Sequence, residues 1–226
     1  MSPANPLLVP STLPYGLPDF SAIRDEHVMP ALEEALRRHT AEIAAIADSP
    51  EEPTAANTVV ALEQSGQDLA RVLGYFYTVA GADATEERLR MEAEISPLLA
   101  QHSDDMYMNP QLFRRIDAVF QTLPESVGSI EAKGGVTAAQ LEAETVALVQ
   151  RYHDLFLRHG AGLSAEAQAR VREINAELSQ LSSEFGDNLL KDTQARAVHI
   201  MEECKLAGVD DAQKHFFADT ARAAGM

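Results

Sequence analysis

SAEAQARVREINAELSQLSSEFGDNLLKDT, residues 164 to 193, is the longest uninterrupted amphipathic stretch of the chain. Val171, Ile174, Leu178, Leu181, Phe185 and Leu189 recur every three or four residues, which places them on one stripe of a helix. Arg170, Arg172, Glu173, Glu177, Gln180 and Glu184 fill the opposite face. Ser164 stands where an N-cap belongs, and Glu166 sets a negative charge at the positive end of the helix dipole. A long helix with a single apolar stripe needs partners, so the stretch predicts an assembly of helices. The stripe is expected to pack against the helix before it, which ends at Gly160 and Gly162, the two forming an antiparallel hairpin.

Outward from that helix the chain reads as all-α, a multi-helix array with long antiparallel helical hairpins and no substantial sheet. Residues 1–20 carry Pro3, Pro6, Pro10, Pro14 and Pro18 and form an extended proline-rich arm, too apolar for a free linker and expected to lie on the folded body. Residues 21–196 form a helical domain, and 197–226 a truncated tail with a short helix. Within the domain one helix runs from near Pro30 to Ala47 and stops at DSPEEP, residues 48–53. A second block runs from about Thr54 to Ala80, with a kink or close helix crossing expected at Ser65 and Gly66. A third helix starts at the Thr85 cap, and a fourth at Asn109 and Pro110. Gly128, Gly134 and Gly135 mark a loose connection, after which Thr137 and Gln140 form a capping-box pair. AVHIM, residues 197–201, is the longest strand-like alternation, and a last helix is expected from about Asp210 to Ala224.

Eighteen Lys and Arg against 35 Asp and Glu give a formal charge of −17, a field that repels nucleic acid and anionic lipid. No segment approaches the roughly 18 apolar residues of a membrane span. The one cysteine, Cys204, can form no intrachain disulfide, and a cytoplasmic protein is expected.

The seven histidines offer no i, i+4 pair of the kind that ligates zinc from one helix face. His153 and His159 are expected on different faces. His199, Glu202, Glu203 and Cys204 form the only local cluster of ligand-type side chains, in an order that matches no standard metal spacing, and they read as a solvated turn. His102 falls on an apolar face and reads as a hydrogen-bonded core histidine. The carboxylate doublets Asp25–Glu26, Glu33–Glu34, Asp104–Asp105 and Glu202–Glu203 diverge by about 100° on a helix, so they read as surface rather than a facing acid and base. Tyr75, Phe76 and Tyr77 read as core packing, with part of the run left outside. No residue of the chain is therefore assigned a catalytic, cofactor-binding or metal role.

Several segments in order resemble the N-terminal region of the M3 zinc metallopeptidases, the peptidyl-dipeptidase and oligopeptidase A branch. They are LPDFSAIRDEHVMPALEEAL at 17–36, PTAANTVVALEQSGQDLARV at 53–72, PLLAQHSDDMYMNPQLFRRI at 97–116 and FLRHGAGLSAEAQARVREINAELSQLSSEFGDNLLKDT at 156–193. LAGVDDAQKHFFADTARAAG, 206–225, is more loosely similar to the next family segment. The resemblance implies a mostly helical hydrolase whose lobes enclose a channel for short peptides, with zinc held by an HExxH helix and a further glutamate. This chain has no HExxH, so no catalytic or metal residue carries over to it. The expectation is a channel-wall portion without a cofactor of its own, inactive unless a separate catalytic lobe joins it. Self-association through uncovered apolar surface is a further expected partnership. The rival expectation is a non-enzymatic helical module that binds a peptide or protein on the same scaffold.

Overall fold

A computed structural model describes residues 5–123, 143–223 and 225, with the side chain of residue 194 excepted. The connection with Gly128, Gly134 and Gly135, the capping pair Thr137 and Gln140, Pro3 and Ala224 lie outside the described residues. The described residues hold helices and turns with no strand.

The helices are α1 (Val28–Ala47), α2 (Ala61–Glu63), α3 (Gln67–Ala82), α4 (Glu86–Tyr107), α5 (Pro110–Phe120), α6 (Ala143–Arg158), α7 (Ala165–Ala195) and α8 (Asp211–Ala223). Contacts divide the chain into Met1–Glu184 and Phe185–Met226, with the division falling inside α7.

The starts follow from the caps. The Thr85 hydroxyl accepts from the Arg88 amide, with Glu86 and Glu87 in the first turn of α4. The Asn109 side chain accepts from the Gln111 and Leu112 amides while Pro110, which has no amide hydrogen to leave unbonded, opens α5. The Ser164 hydroxyl accepts from the Ala167 amide at the start of α7. Thr54 and Asn57 exchange side-chain and backbone bonds of 2.8 and 3.1 Å, starting a π-helical stretch, Ala55–Val60, that runs into α2.

Gly66 does more than kink the second block. It adopts φ +70°, so α2 ends there and α3 begins anew. The left-handed conformation carries little penalty only for glycine, and an added Cβ would lie 3.1 Å from the His39 ring.

Within Met1–Glu184, α1 serves two cores. Its N-terminal half gives Val28, Ala31, Leu32 and Ala35 to a cluster with Leu7, Ile23, Leu69, Val72, Tyr75, Phe76, Ala80, Met91 and Ile95. Its C-terminal half gives Ile43, Ile46 and Ala47 to a cluster with Val59, Leu62, Leu112, Ile116, Val119, Val149 and Phe156. Burying each large aliphatic or aromatic side chain is worth about 1.5–3 kcal/mol. Leu7, carried on a 3₁₀ turn at Pro6–Leu8, is fully covered, so the proline-rich segment is pinned to the body at that point.

The long amphipathic stretch is helical as its pattern demands, but its stripe is not packed. Ile174, Leu178, Leu181, Phe185 and Leu189 are all exposed, Phe185 at 70%, and no residue of α7 joins the buried core. The expectation that the stripe packs against the preceding helix is corrected on this point. Spacing reports that a face is apolar; it carries no information on which element covers it. The organising element of the two cores is α1.

In Phe185–Met226, the Asp210 carboxylate caps α8 through the Gln213 amide. AVHIM is irregular and exposed rather than a strand.

Candidate functional site

The histidines are placed in three ways. His39 and His102, from α1 and α4, meet half-buried: His102 Nε2 lies 2.9 Å from His39 Nδ1, and His39 Nε2 lies 3.1 Å from the Ser65 hydroxyl. The Ser65 hydroxyl donates to the Leu62 carbonyl at 2.7 Å, which leaves it as acceptor for the His39 Nε2–H. His39 Nδ1 is then the acceptor for the His102 Nε2–H. His102 is hydrogen-bonded, as its helix face suggested, but it is half-buried rather than a core residue.

His153 lies flat against Phe120, ring centroids 3.8 Å apart, with Nε2 3.2 Å from an Asp117 carboxylate oxygen. His159 stacks on Tyr107 at 4.1 Å and donates from Nδ1 to the Leu155 carbonyl. Each of these two rings is engaged in its own stack. His199, Glu202, Glu203 and Cys204 are exposed, and the last three turn toward local partners. Glu202 pairs with Lys205 at 3.1 Å and Glu203 with Lys214 at 3.3 Å, while the Cys204 thiol faces Glu202. Among the described residues, no group of three or more His, Cys, Asp or Glu side chains is gathered to hold a metal ion. Their arrangement does not fit zinc.

The carboxylate doublets separate into individual roles. Asp25 binds Arg88 at 3.1 Å, and Glu34 bridges Arg37 and Arg38, whose guanidinium groups pull its carboxyl down to about 2. Asp104 is buried and accepts a hydrogen bond from Asn175, while its neighbour Asp105 is exposed. No doublet presents an acid and a base to a common point. Tyr75 and Phe76 are buried and Tyr77 is exposed, as the run implied.

Two groups that spacing could not reveal are Arg115 and Tyr152. Arg115, 7% exposed, donates to the carbonyls of Ser49 and Glu51 and to the side chains of Asn57 and Thr58. It borders a cavity of about 410 Å³ shared with Asp48, Ser49, Gln111 and Arg114. Its terminal nitrogens already serve the 48–58 segment, so they are not available to a ligand there. Tyr152 donates to the Glu63 carboxylate, and burial together with that bond pushes its phenol above the usual range.

Over its whole length the chain is 36% identical to the dipeptidyl carboxypeptidase of Escherichia coli strain K12, covering 31% of that protein. It is also 36% identical over 222 residues to the dipeptidyl carboxypeptidase of Salmonella typhimurium strain LT2, again 31% of that protein. The chain is homologous to one region of the M3 peptidases. Oligopeptidase A of Haemophilus influenzae is 26% identical over 226 residues, which make up 30% of it. The match is consistent with the N-terminal region of these proteins, and the chain spans less than a third of their length. No family model matches the chain. No helix among the described residues is long and apolar enough to cross a membrane.

Among the described residues, the feature that stands out on the surface is the α7 stripe. Val198, Ile200, Met201, Phe216 and Phe217 are further exposed apolar side chains beyond Glu184. The described residues display apolar helical surface, and no three or more His, Cys, Asp or Glu side chains among them are gathered to hold a metal ion.

Proposed function

We propose that this chain is the channel-wall portion of an M3-type zinc peptidase that acts on short peptides. The scheme of arm 1–20, helical domain 21–196 and tail 197–226 is part of that reading. Its support is the whole-length similarity to dipeptidyl carboxypeptidases, joined to the uncovered stripe Ile174, Leu178, Leu181, Phe185 and Leu189. Exposed apolar side chains repeated along one helix mark a contact face. The natural occupant in this reading is polypeptide equivalent to the remaining two thirds of the relatives. In this reading zinc and the catalytic groups would be supplied by that other portion, because this sequence has no HExxH. This portion's share is steric: a helical wall beside the reacting peptide admits an extended chain and turns away folded ones. No nucleic acid is expected as a partner of so acidic a chain, and the compartment proposed is the cytoplasm.

The test is a short-peptide cleavage assay on the purified chain, with and without added zinc, alongside metal analysis. The expected result is no turnover and no stoichiometric metal. Zinc-dependent, chelator-sensitive cleavage by the chain alone would overturn the reading. Peptide binding with micromolar affinity by the isolated chain would instead favour the module reading, in which the two intact cores of Met1–Glu184 carry a binding function without chemistry.

A further inference from the structure

The turn between α2 and α3 is held by a chain of hydrogen bonds that reaches through three elements. His102 on α4 donates to His39 on α1, His39 donates to Ser65 in the turn, and Ser65 donates to the Leu62 carbonyl at the end of α2. Beside it the Gly66 amide donates to Glu42 Oε2 at 2.7 Å, and the His39 ring lies against the Gly66 backbone. The two rings are 4.9 Å apart between centroids.

The directions in this chain make its response to protons asymmetric. His102 Nδ1 has no hydrogen bond among the described residues, so it is the free site for a first proton. A proton there turns His102 into an imidazolium that still donates from Nε2 to His39 Nδ1, now as a charge-assisted bond. A second proton has only His39 Nδ1 to occupy. That nitrogen is the acceptor of the pair, and protonating it leaves two N–H groups and two positive charges facing each other.

The charged groups around the pair are Glu42 from α1 and Asp105 from α4, and the turn contributes only the neutral Ser65 hydroxyl among the described residues. Glu42 stands one helical turn from His39 on the same helix, within reach of a His39 cation. It then has a charged competitor for the carboxylate that now holds the Gly66 amide. We propose that the His102–His39–Ser65 chain is a two-proton latch: the first proton, on His102, keeps it shut, and the second, on His39, releases the Ser65–Gly66 turn from α1. Burial holds both histidines below their ordinary value, the His102 charge lowers His39 further, and Glu42 and Asp105 oppose these effects without reversing them. Release therefore needs more acid than an ordinary histidine would and is absent at neutral pH.

The experiment is an NMR titration of the intact chain from pH 8 downward until His39 is protonated or Gly66 loses its protection, following the tautomers of both imidazoles and, in parallel, hydrogen exchange of the Gly66 amide corrected for its intrinsic pH dependence. The expected result is an Nε2–H tautomer for both rings at pH 8, protonation of His102 without loss of Gly66 protection, then protonation of His39 with a fall in protection approaching, at most, about tenfold per pH unit. His102→Gln keeps a neutral donor toward His39 and removes the first step, so release should move to higher pH as a single transition. An Nδ1–H tautomer at His39, or loss of Gly66 protection with the His102 step, overturns the proposal. So does retention of protection after His39 is charged. The wild-type titration decides the matter even if the variant does not fold, and its outcome does not depend on the chain being part of a peptidase.

Discussion

The Asn175 side-chain amide donates a 2.7 Å hydrogen bond to the Asp104 carboxylate, joining α7 to α4 where Asp104 is only 6% exposed. Removing the donor leaves a buried carboxylate oxygen without its partner, a loss of about 1–3 kcal/mol. Asn175→Ala should lower the urea midpoint accordingly with an unchanged slope. Asn175→Asp sets a second carboxylate against the first and should cost more than the alanine.

Gly66 and Gly74 should respond to alanine in opposite directions. Gly66 has φ +70° and the His39 ring at 3.1 Å from a would-be Cβ, so Gly66→Ala should destabilise by about 1–2 kcal/mol or more. Gly74 is an exposed position inside α3 with nothing within 4 Å of a would-be Cβ, so Gly74→Ala should stabilise by about 0.5–1 kcal/mol. Thermal melts of the two variants check both signs.

Arg115 ties residues 49 to 58 to α5 through four acceptors. Arg115→Lys keeps the charge but cannot reach all of them in the planar geometry of a guanidinium. Both Arg115→Lys and Arg115→Ala should destabilise, the alanine by about 3 kcal/mol, with several acceptors left unpaired. Limited proteolysis should cut first within 48–58 in either variant.

The Glu34 carboxyl is held at about 2 by hydrogen bonds from Arg37 and Arg38, below its ordinary 4.5. A depressed carboxylate contributes stability above the unfolded value and loses it as the pH falls from about 4.5 to 2. Because the group is exposed, salt should weaken the effect. Carboxyl NMR titration in low and high salt should show Glu34 titrating lowest in low salt and moving toward its ordinary range in high salt.

Leu178 and Leu181 make no use of burial in this chain, being 55% and 51% exposed. Leu178→Glu and Leu181→Glu should leave the unfolding free energy within about 0.5 kcal/mol while reducing concentration-dependent association in light scattering. A loss of several kcal/mol would mean that the stripe is covered.

What the sequence revealed and what it hid divides along the reach of each interaction. Thr85, Asn109 and Ser164 announce helix starts because a cap acts on amides two or three residues away. The DSPEEP stop likewise follows from local pattern, whereas the division of α1 between two cores depends on partners as distant as Leu7 and Phe156. The Ser65–Gly66 pair signalled a disturbance, but its severity depends on His39, a partner from another helix. His39 and His102 lie 63 positions apart and Arg115 meets Ser49 across 66, so neither constellation leaves a trace in spacing. The α7 stripe shows the converse limit. Its periodicity is unmistakable, yet whether it is covered is decided by elements that its own residues do not encode.

The two clusters that share α1 also differ in how soon they can be completed during synthesis. Every member of the first lies between Leu7 and Ile95, whereas the second requires Phe156 from α6. Since chains fold from the N-terminal side as they leave the ribosome, the first cluster can close while α5 and α6 are still unmade. Ile43, Ile46 and Ala47, together with Val59 and Leu62, then wait for α5 and α6 to complete their cluster. Vectorial assembly is thus written into the way one helix is divided between two cores.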